Sequence, residues 1–346
     1  MTSKNNYSQQ SSLFHRAFNN MKDPRRTNKG NLQHNFFDII FLVISAVVSG
    51  ASGWDEIEMF GHSQYSWLKK FCALPDGIPS HDTINRVISA ISPDKFSECF
   101  TKWIEEISHM SSNEIVAIDG KRIRNSYDKN SDKSAIHVVS AFAAENGLCL
   151  GQVNTQEKSN EITAIPELLE VLAIEGCTVT IDAMGCQKDI AKRIIDKGAD
   201  YVLAVKDNQK QLAQGIKDII RFNEAVDEDT HIDTGHGRIE TRTCKTFIAN
   251  DLIENIASWK NLKLVIEIES ERIIKSTGEQ SKEKRYYITN KSSPAKAINK
   301  YIRSHWSVEN NLHWELDVTF GEDMSRKRKE NAAANFNIIS KMALSL

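Results

Sequence analysis

Glu114-Ile115-Val116-Ala117-Ile118-Asp119-Gly120 is a short, β-branched apolar run that ends in a carboxylate, and Cys177-Thr178-Val179-Thr180-Ile181-Asp182-Ala183 repeats the pattern 63 residues later. Branched side chains of this kind favour extended backbone. Between the two runs, Ala135 to Ala144 and Leu148 to Thr155 read as strands joined by Glu145-Asn146-Gly147, a strong hairpin turn. A helix is expected from Pro166 to Ile174, with the proline in its first turn. Beyond the second run, Gln187 to Lys197 reads as a helix stopped by Gly198, and Tyr201 to Lys206 as a further strand. The order is three strands, helix, strand, helix, strand, and strands separated by helices of this length imply parallel crossovers.

A three-stranded meander feeding βαβ units is the order expected of an α/β, RNase H-like core. After Lys206 the pattern breaks into a charged helix to about Phe222 and an acidic loop at Asp227-Glu228-Asp229. Strand-like segments follow at Glu240–Ile248, Leu262–Glu269 and Arg285–Thr289, so residues 207–292 read as a β-rich insertion in the core. Ser293 and Pro294 open a last helical section through His305, Glu309 and Leu312. Upstream of Glu114, Phe37, Ile40, Phe41 and Ile44 recur at helical spacing, and Gly77-Ile-Pro-Ser-His-Asp82-Thr is a turn leading into Ile84 to Ile91. The expected organisation is a basic flexible arm over 1–30, an α-helical N-terminal domain over 31–110 that recognises DNA or braces the core, and a catalytic domain over 114–346.

With 44 Lys and Arg against 46 Asp and Glu, the net charge is −2, so any polyanion-binding surface must be local. The six cysteines form no C-x-x-C pair and have no zinc-finger spacing, which reads as reduced, buried thiols in a cytoplasmic protein. The polar N-terminus leads us to expect no secretory leader, and the apolar run Ile39–Val48 is too short for a membrane span of ~20 residues.

Two strands of the expected core end in Asp. Asp before Gly is a common turn pair, and either Asp alone could simply cap the next helix. Placed on the first and fourth strands, however, the pair sits where open α/β sheets gather their catalytic groups. Hard divalent cations take carboxylate oxygens, and two of them ~3.5–4 Å apart can clamp the attacking and leaving oxygens of a phosphoryl displacement. Candidates for a third acid are Glu309, Glu315, Asp317, Glu322 and Asp323. On a helix, His305, Glu309 and His313 would share one face.

The chain resembles the insertion-sequence DDE transposases of the ISAs type, which include the H-repeat-associated proteins linked to Rhs elements. The likeness runs from Asp23-Pro-Arg-Arg26 onward. It is carried by Gly77-Ile-Pro-Ser-His-Asp-Thr83, Ile118-Asp-Gly-Lys121, Glu157-Lys-Ser-Asn-Glu161 and Ile181-Asp-Ala-Met-Gly185. Further on come Ala199–Lys206, His236-Gly-Arg-Ile-Glu240 and His305-Trp-Ser-Val-Glu309 through Asp323. The resemblance implies an RNase H-like fold and a triad of Asp119, Asp182 and Glu309 as both catalytic residues and metal ligands. It also implies two Mg2+ or Mn2+ ions, cleavage and strand transfer of double-stranded DNA, and a homodimer when assembled on DNA. Related cut-and-paste enzymes place Tyr and Arg seven and four residues before the Glu, and Lys seven after. Here those positions hold Ile302, His305 and Leu316, with Tyr301 and Arg303 one residue off. Family members continue a few dozen residues past the position of Leu346, which suggests a shortened copy.

The DNA contacts expected are Lys121, Arg122, Lys206, Arg238, Arg242, Arg303, His305 and Trp306, a basic ring around an acidic centre. Two rival functions stand beside this reading. One is an RNase H-like nuclease without strand transfer, and the other is an inactive remnant that only binds DNA.

Overall fold

The structure is a computed structural model and describes residues 13–26, 32–108, 113–127, 134–155, 161–235 and 237–346. Most of the basic arm, with Lys4 and Lys29, lies outside the described residues, as do 157–160 of the Glu157–Glu161 motif and His236.

The N-terminal part is helical. Helix α1 (Phe36–Val48) starts where the Asn35 side chain accepts from the Phe37 amide, and its apolar face is buried from Ile39 to Val47. Helix α2 (Trp54–Ser63) follows. Helix α3 (His81–Ala90) is capped by the Ser80 hydroxyl, and α4 (Pro93–Ile107) begins at the proline expected to open it.

The chain then builds a nine-stranded sheet. Strand β1 (Ile115–Arg122) pairs antiparallel with β2 (His137–Ala143), which pairs antiparallel with β3 (Leu148–Asn154). After helix α5 (Glu161–Val171), β4 (Thr178–Ile181) lies parallel to β1. Helix α6 (Lys188–Asp196) leads to β5 (Asp200–Val205), parallel to β4. Helix α7 (Lys210–Phe222) precedes four antiparallel strands: β6 (Asp227–Asp233), β7 (Arg238–Ile248), β8 (Leu264–Ile274) and β9 (Gln280–Thr289). Strand β9 pairs with β5, so the sheet order is β3-β2-β1-β4-β5-β9-β8-β7-β6. The last section holds α8 (Ala295–His305), a π-helical segment (Val308–His313), α9 (Trp314–Val318) and α10 (Ala332–Leu344).

Three details differ from the sequence reading. Helix α5 is already formed at Glu161, five residues before Pro166, so the proline sits inside the helix and Glu161 belongs to it. The acidic run at Asp227 is a strand, not a loop. Acids disfavour strands, but β6 is an edge strand, and it anchors α8: Asp227 Oδ2 accepts from the Ala295 amide (2.7 Å) and Asp229 Oδ2 from Asn299 Nδ2 (2.9 Å). A carboxylate at a helix N-terminus is favourable for the same reason a capping residue is. Finally, the helix expected to carry the third acid changes to π geometry after His305, a feature frequent at functional sites.

The core is continuous between the two halves. Helix α10 packs on α1, α3 and α4, and Ile338, Ile339 and Met342 join the same buried cluster as Ile39, Ile88, Phe100, Val116 and Ile181. A second cluster, of Val202, Cys244, Leu264, Ile266 and Ile268, receives Ala295, Ile298 and Ile302 from one face of α8. That packing fixes the helix against the extended sheet and sets its C-terminal end over β1 and β4. Among the described residues no helix is long and apolar enough to cross a membrane, and all six cysteines are free.

Candidate active site

Strands β1 and β4 run parallel with Ile118 opposite Ile181, so the next residues, Asp119 and Asp182, stand side by side where the strands leave the core. The two acids open into a cleft of about 410 Å³ that also exposes Lys206, His305, Trp306 and Glu309. Asp182 Oδ1 accepts from the amides of Met184 (3.0 Å) and Gly185 (3.3 Å), which holds the loop into α6 against the carboxylate. Thr180, two residues earlier on the same face, meets His305 Nδ1 at 3.1 Å. His313 Nδ1 lies 3.5 Å from Asp119 Oδ2, and its Nε2 is buried without a hydrogen-bond partner. The α8–π section therefore faces the sheet with His305 over β4 and His313 over β1, while the exposed Glu309 between them lines the cleft.

Among the described residues, one group of three acids has ligand oxygens all within 4.8 Å of one another: Asp119, Glu161 and Asp182. Glu309 stands in the same cleft outside that group. No Lys or Arg nitrogen of a described residue comes within 4.0 Å of these four carboxylates; only the imidazoles of His137 and His313 do. Burial, reinforced by the charges of Glu161, Asp182 and Glu309, pushes the Asp119 carboxyl up to about 7. Partial desolvation in the cleft also raises Glu309, against the pull of Arg285. Desolvation, with Lys341 and Lys121 nearby, lowers His313 to about 3, so it is neutral at ordinary pH and offsets none of this charge. His305 is lowered in the same way, by burial. An all-oxygen donor set held close in a partly dry cleft, with no lysine or arginine of the described residues at ion-pair distance, fits a hard divalent ion.

The other third-acid candidates point elsewhere. Lys121 Nζ binds Asp317 Oδ1 (2.5 Å) and Glu322 Oε2 (2.6 Å), and Asn337 holds the second oxygen of Glu322. Asp323 pairs with Arg124 (3.2 Å). Glu315 accepts from the Thr319 hydroxyl.

The expected DNA contacts divide the same way. Lys206, His305 and Trp306 line the cleft, whereas Arg122 and Arg303 are outside it. Lys121 is engaged with its two acids, and Arg242 with Glu240 (2.6 Å), to which Arg238 is also near (3.6 Å). The sequence reading missed Lys217, Lys284, Arg285, Tyr286 and Tyr287, which complete the cleft wall from α7 and β9. Arg285 stacks over Trp306 at 5.4 Å and is braced by Glu283. Glu161 was missed as well; its only signal was its place in a motif otherwise unassigned.

A family described as "Transposase DDE domain" matches residues 110–346, and one described as "DDE_Tnp_1-associated" matches 15–104. "Putative transposase YncI" of Escherichia coli O157:H7 is 45% identical over 93% of this chain and 84% of its own length. "H repeat-associated putative transposase YhhI" of Escherichia coli K12 is 44% identical over 94% and 87%. A solved structure, "Cryo-EM structure of piggyBac transposase synaptic complex with hairpin DNA (SNHP)", aligns over 97% of this chain and 74% of that one, with 11% identity and a TM-score of 0.44. The length and identity of the sequence matches leave one conclusion: the chain belongs to the DDE transposase family, alongside the H repeat-associated proteins.

Proposed function

We propose that this chain cleaves double-stranded DNA and joins the cut end of an insertion element to a target, with Asp119, Asp182 and Glu309 as the catalytic acids. The observation that carries the proposal is that the three carboxylates line one cleft and that, among the described residues, no Lys or Arg nitrogen lies within ion-pair distance of any of them. The β3-β2-β1-β4-β5 part of the sheet, with β2 alone antiparallel to its neighbours β1 and β3, supports an RNase H-like core; β6 to β9 are the insertion, added at the β5 edge. Two Mg2+ or Mn2+ ions, when bound by these acids, would polarise the scissile phosphate and activate the attacking oxygen.

The chain's own groups do the positioning. Asp182 is held by two backbone amides. His305, neutral and tied to Thr180, keeps α8 seated on β4, and Lys206 offers a charge to the phosphates. The Trp306–Arg285 stack offers a flat face to a base. A groove lined by Arg16, Lys22, Arg26, Lys95 and Lys102, with Asp23 and Glu98 among them, would give the N-terminal helices a surface for the element's end, and a second copy of the chain would serve the second end.

The test is an assay with Mg2+ and duplex DNA carrying an element end. The wild type should nick the duplex and join its 3′-OH to a second DNA. Asp119→Asn and Asp182→Asn should each do neither while remaining folded, since an amide keeps the shape but loses the charge a hard cation needs. Near-normal cleavage by either variant would remove that residue from the site, and cleavage without joining would leave a nuclease.

A further inference from the structure

The metal-binding reading leaves Glu161 without a task, although the sequence motif that contains it is dense and the fold brings it to the site. Glu161 lies on helix α5, on the side of the sheet opposite α8, and its carboxylate reaches past Gly120 toward the end of β1. There its oxygen joins those of Asp119 and Asp182 within 4.8 Å, which Glu309 does not.

Two further features hold it there. His137, on β2 directly opposite Arg122, hydrogen-bonds Glu161 Oε1 through Nε2 at 2.8 Å. Gly120 leaves the gap that the pair occupies, since a methyl group at that position would overlap both the Glu161 carboxylate and the His137 ring. The side chain is largely buried, at 13% exposure, so it is not a solvated surface acid that happens to pass by. A glycine inside a strand weakens it, and close approach by another group is one of the reasons a fold keeps one.

We infer that Glu161 is a direct ligand of the cation held by Asp119 and Asp182, with His137 orienting its carboxylate. The inference rests on the reading of this cleft as a metal site, which the family membership supports independently of the acids' spacing. It adds a fourth acid to the three that the family resemblance implies and assigns Glu161, from the opposite face of the sheet, to the pair of aspartates. A histidine that fixes a ligating carboxylate is an outer-shell partner of the kind that tunes affinity. Gly120 becomes a specificity position too, because only an absent side chain lets Glu161 reach the cation.

The experiment is a titration of the free full-length protein with Mn2+, followed by calorimetry and by the Mn2+ electron-spin signal, with no DNA and no turnover required. The wild type should bind and Asp119→Asn should not. Glu161→Gln should bind at least ~10-fold more weakly, the scale on which even outer-shell changes act. Gly120→Ala is the second variant: it keeps every charge but displaces the Glu161 carboxylate and the His137 ring it would overlap, both of them side-chain ends and not backbone. It should lose Mn2+ affinity as Glu161→Gln does, with thermal unfolding in EDTA unchanged for both. Glu161→Gln binding within about 2-fold of wild type would overturn the assignment, on the same scale. So would a weakened Glu161→Gln beside a normal Gly120→Ala, which would mean the charge acts only through space. Failure of the wild type to bind Mn2+ at all would overturn the metal site itself, and this inference with it.

Discussion

Two sets of carboxylates gather around β1, and the fold treats them in opposite ways. Asp317 and Glu322 close on Lys121, which is 12% exposed, and Asn337 completes the arrangement. Asp119, Glu161 and Asp182 also lie close together but pair with no Lys or Arg of the described residues; their partners are His137, bonded to Glu161, and the neutral His313 beside Asp119. Lys121 is only two residues from Asp119 and so lies on the same face of β1, yet it turns to the other set. A buried ion pair satisfies itself and asks for nothing from solution. A buried group of like charges raises the free energy of the protein until an external cation joins it. The first set therefore holds the C-terminal section against β1, and the second set is the one suited to chemistry.

Removing the lysine should have the largest effect on this division. Lys121→Met removes the ion-pair partner of both Asp317 and Glu322, the latter 7% exposed, and stranding a buried partner in this way costs about 3–5 kcal/mol. Urea unfolding should register that loss, and Glu322→Gln in the same chain should recover part of it. A change under about 1 kcal/mol, the size of an exposed pair, would mean the set is not structural. A smaller effect separates cleft from rim. Lys206→Ala should lower the slope of log K against log[salt] for duplex DNA by about 0.9 for each phosphate that the side chain no longer neutralises, weakening all sequences alike. Arg122→Ala, outside the cleft, provides the second arm; equal slopes for wild type and both variants would place the DNA elsewhere.

Much of this architecture was legible in local sequence, and the reasons differ by element. Ile118-Asp119 and Ile181-Asp182 announce themselves because buried parallel strands are apolar runs and an acid at the end of one is conspicuous. Helix α4 is legible from Ser92-Pro93. Strand β6 is not, because Asp227-Glu228-Asp229 has no strand propensity, and only its pairing with β7 and its hold on α8 make it extended. The start of α5 was hidden by Pro166: a proline is most often found in the first turn, and reading it so placed Glu161 in the preceding loop. The engagement of Lys121 was out of reach, since its partners Asp317 and Glu322 lie far along the chain and only the fold brings them to β1. The same holds for α10, whose apolar residues gave no sign that they would complete the core of helices α1, α3 and α4. That shared core means a fragment lacking the N-terminal helices would expose Ile338, Ile339 and Met342.

On the proposed reading a cation belongs with the acids that no described lysine or arginine engages and not with those that Lys121 holds. Crystals of the protein soaked in Mn2+, with diffraction recorded at the manganese absorption edge, would reveal which set takes it. The expected result is an anomalous peak coordinated by Asp119, Asp182 and Glu161, and none beside Asp317 and Glu322. A peak at the Lys121 side, or an empty Asp119 cleft under saturating Mn2+, would show that the division between the two sets is wrong.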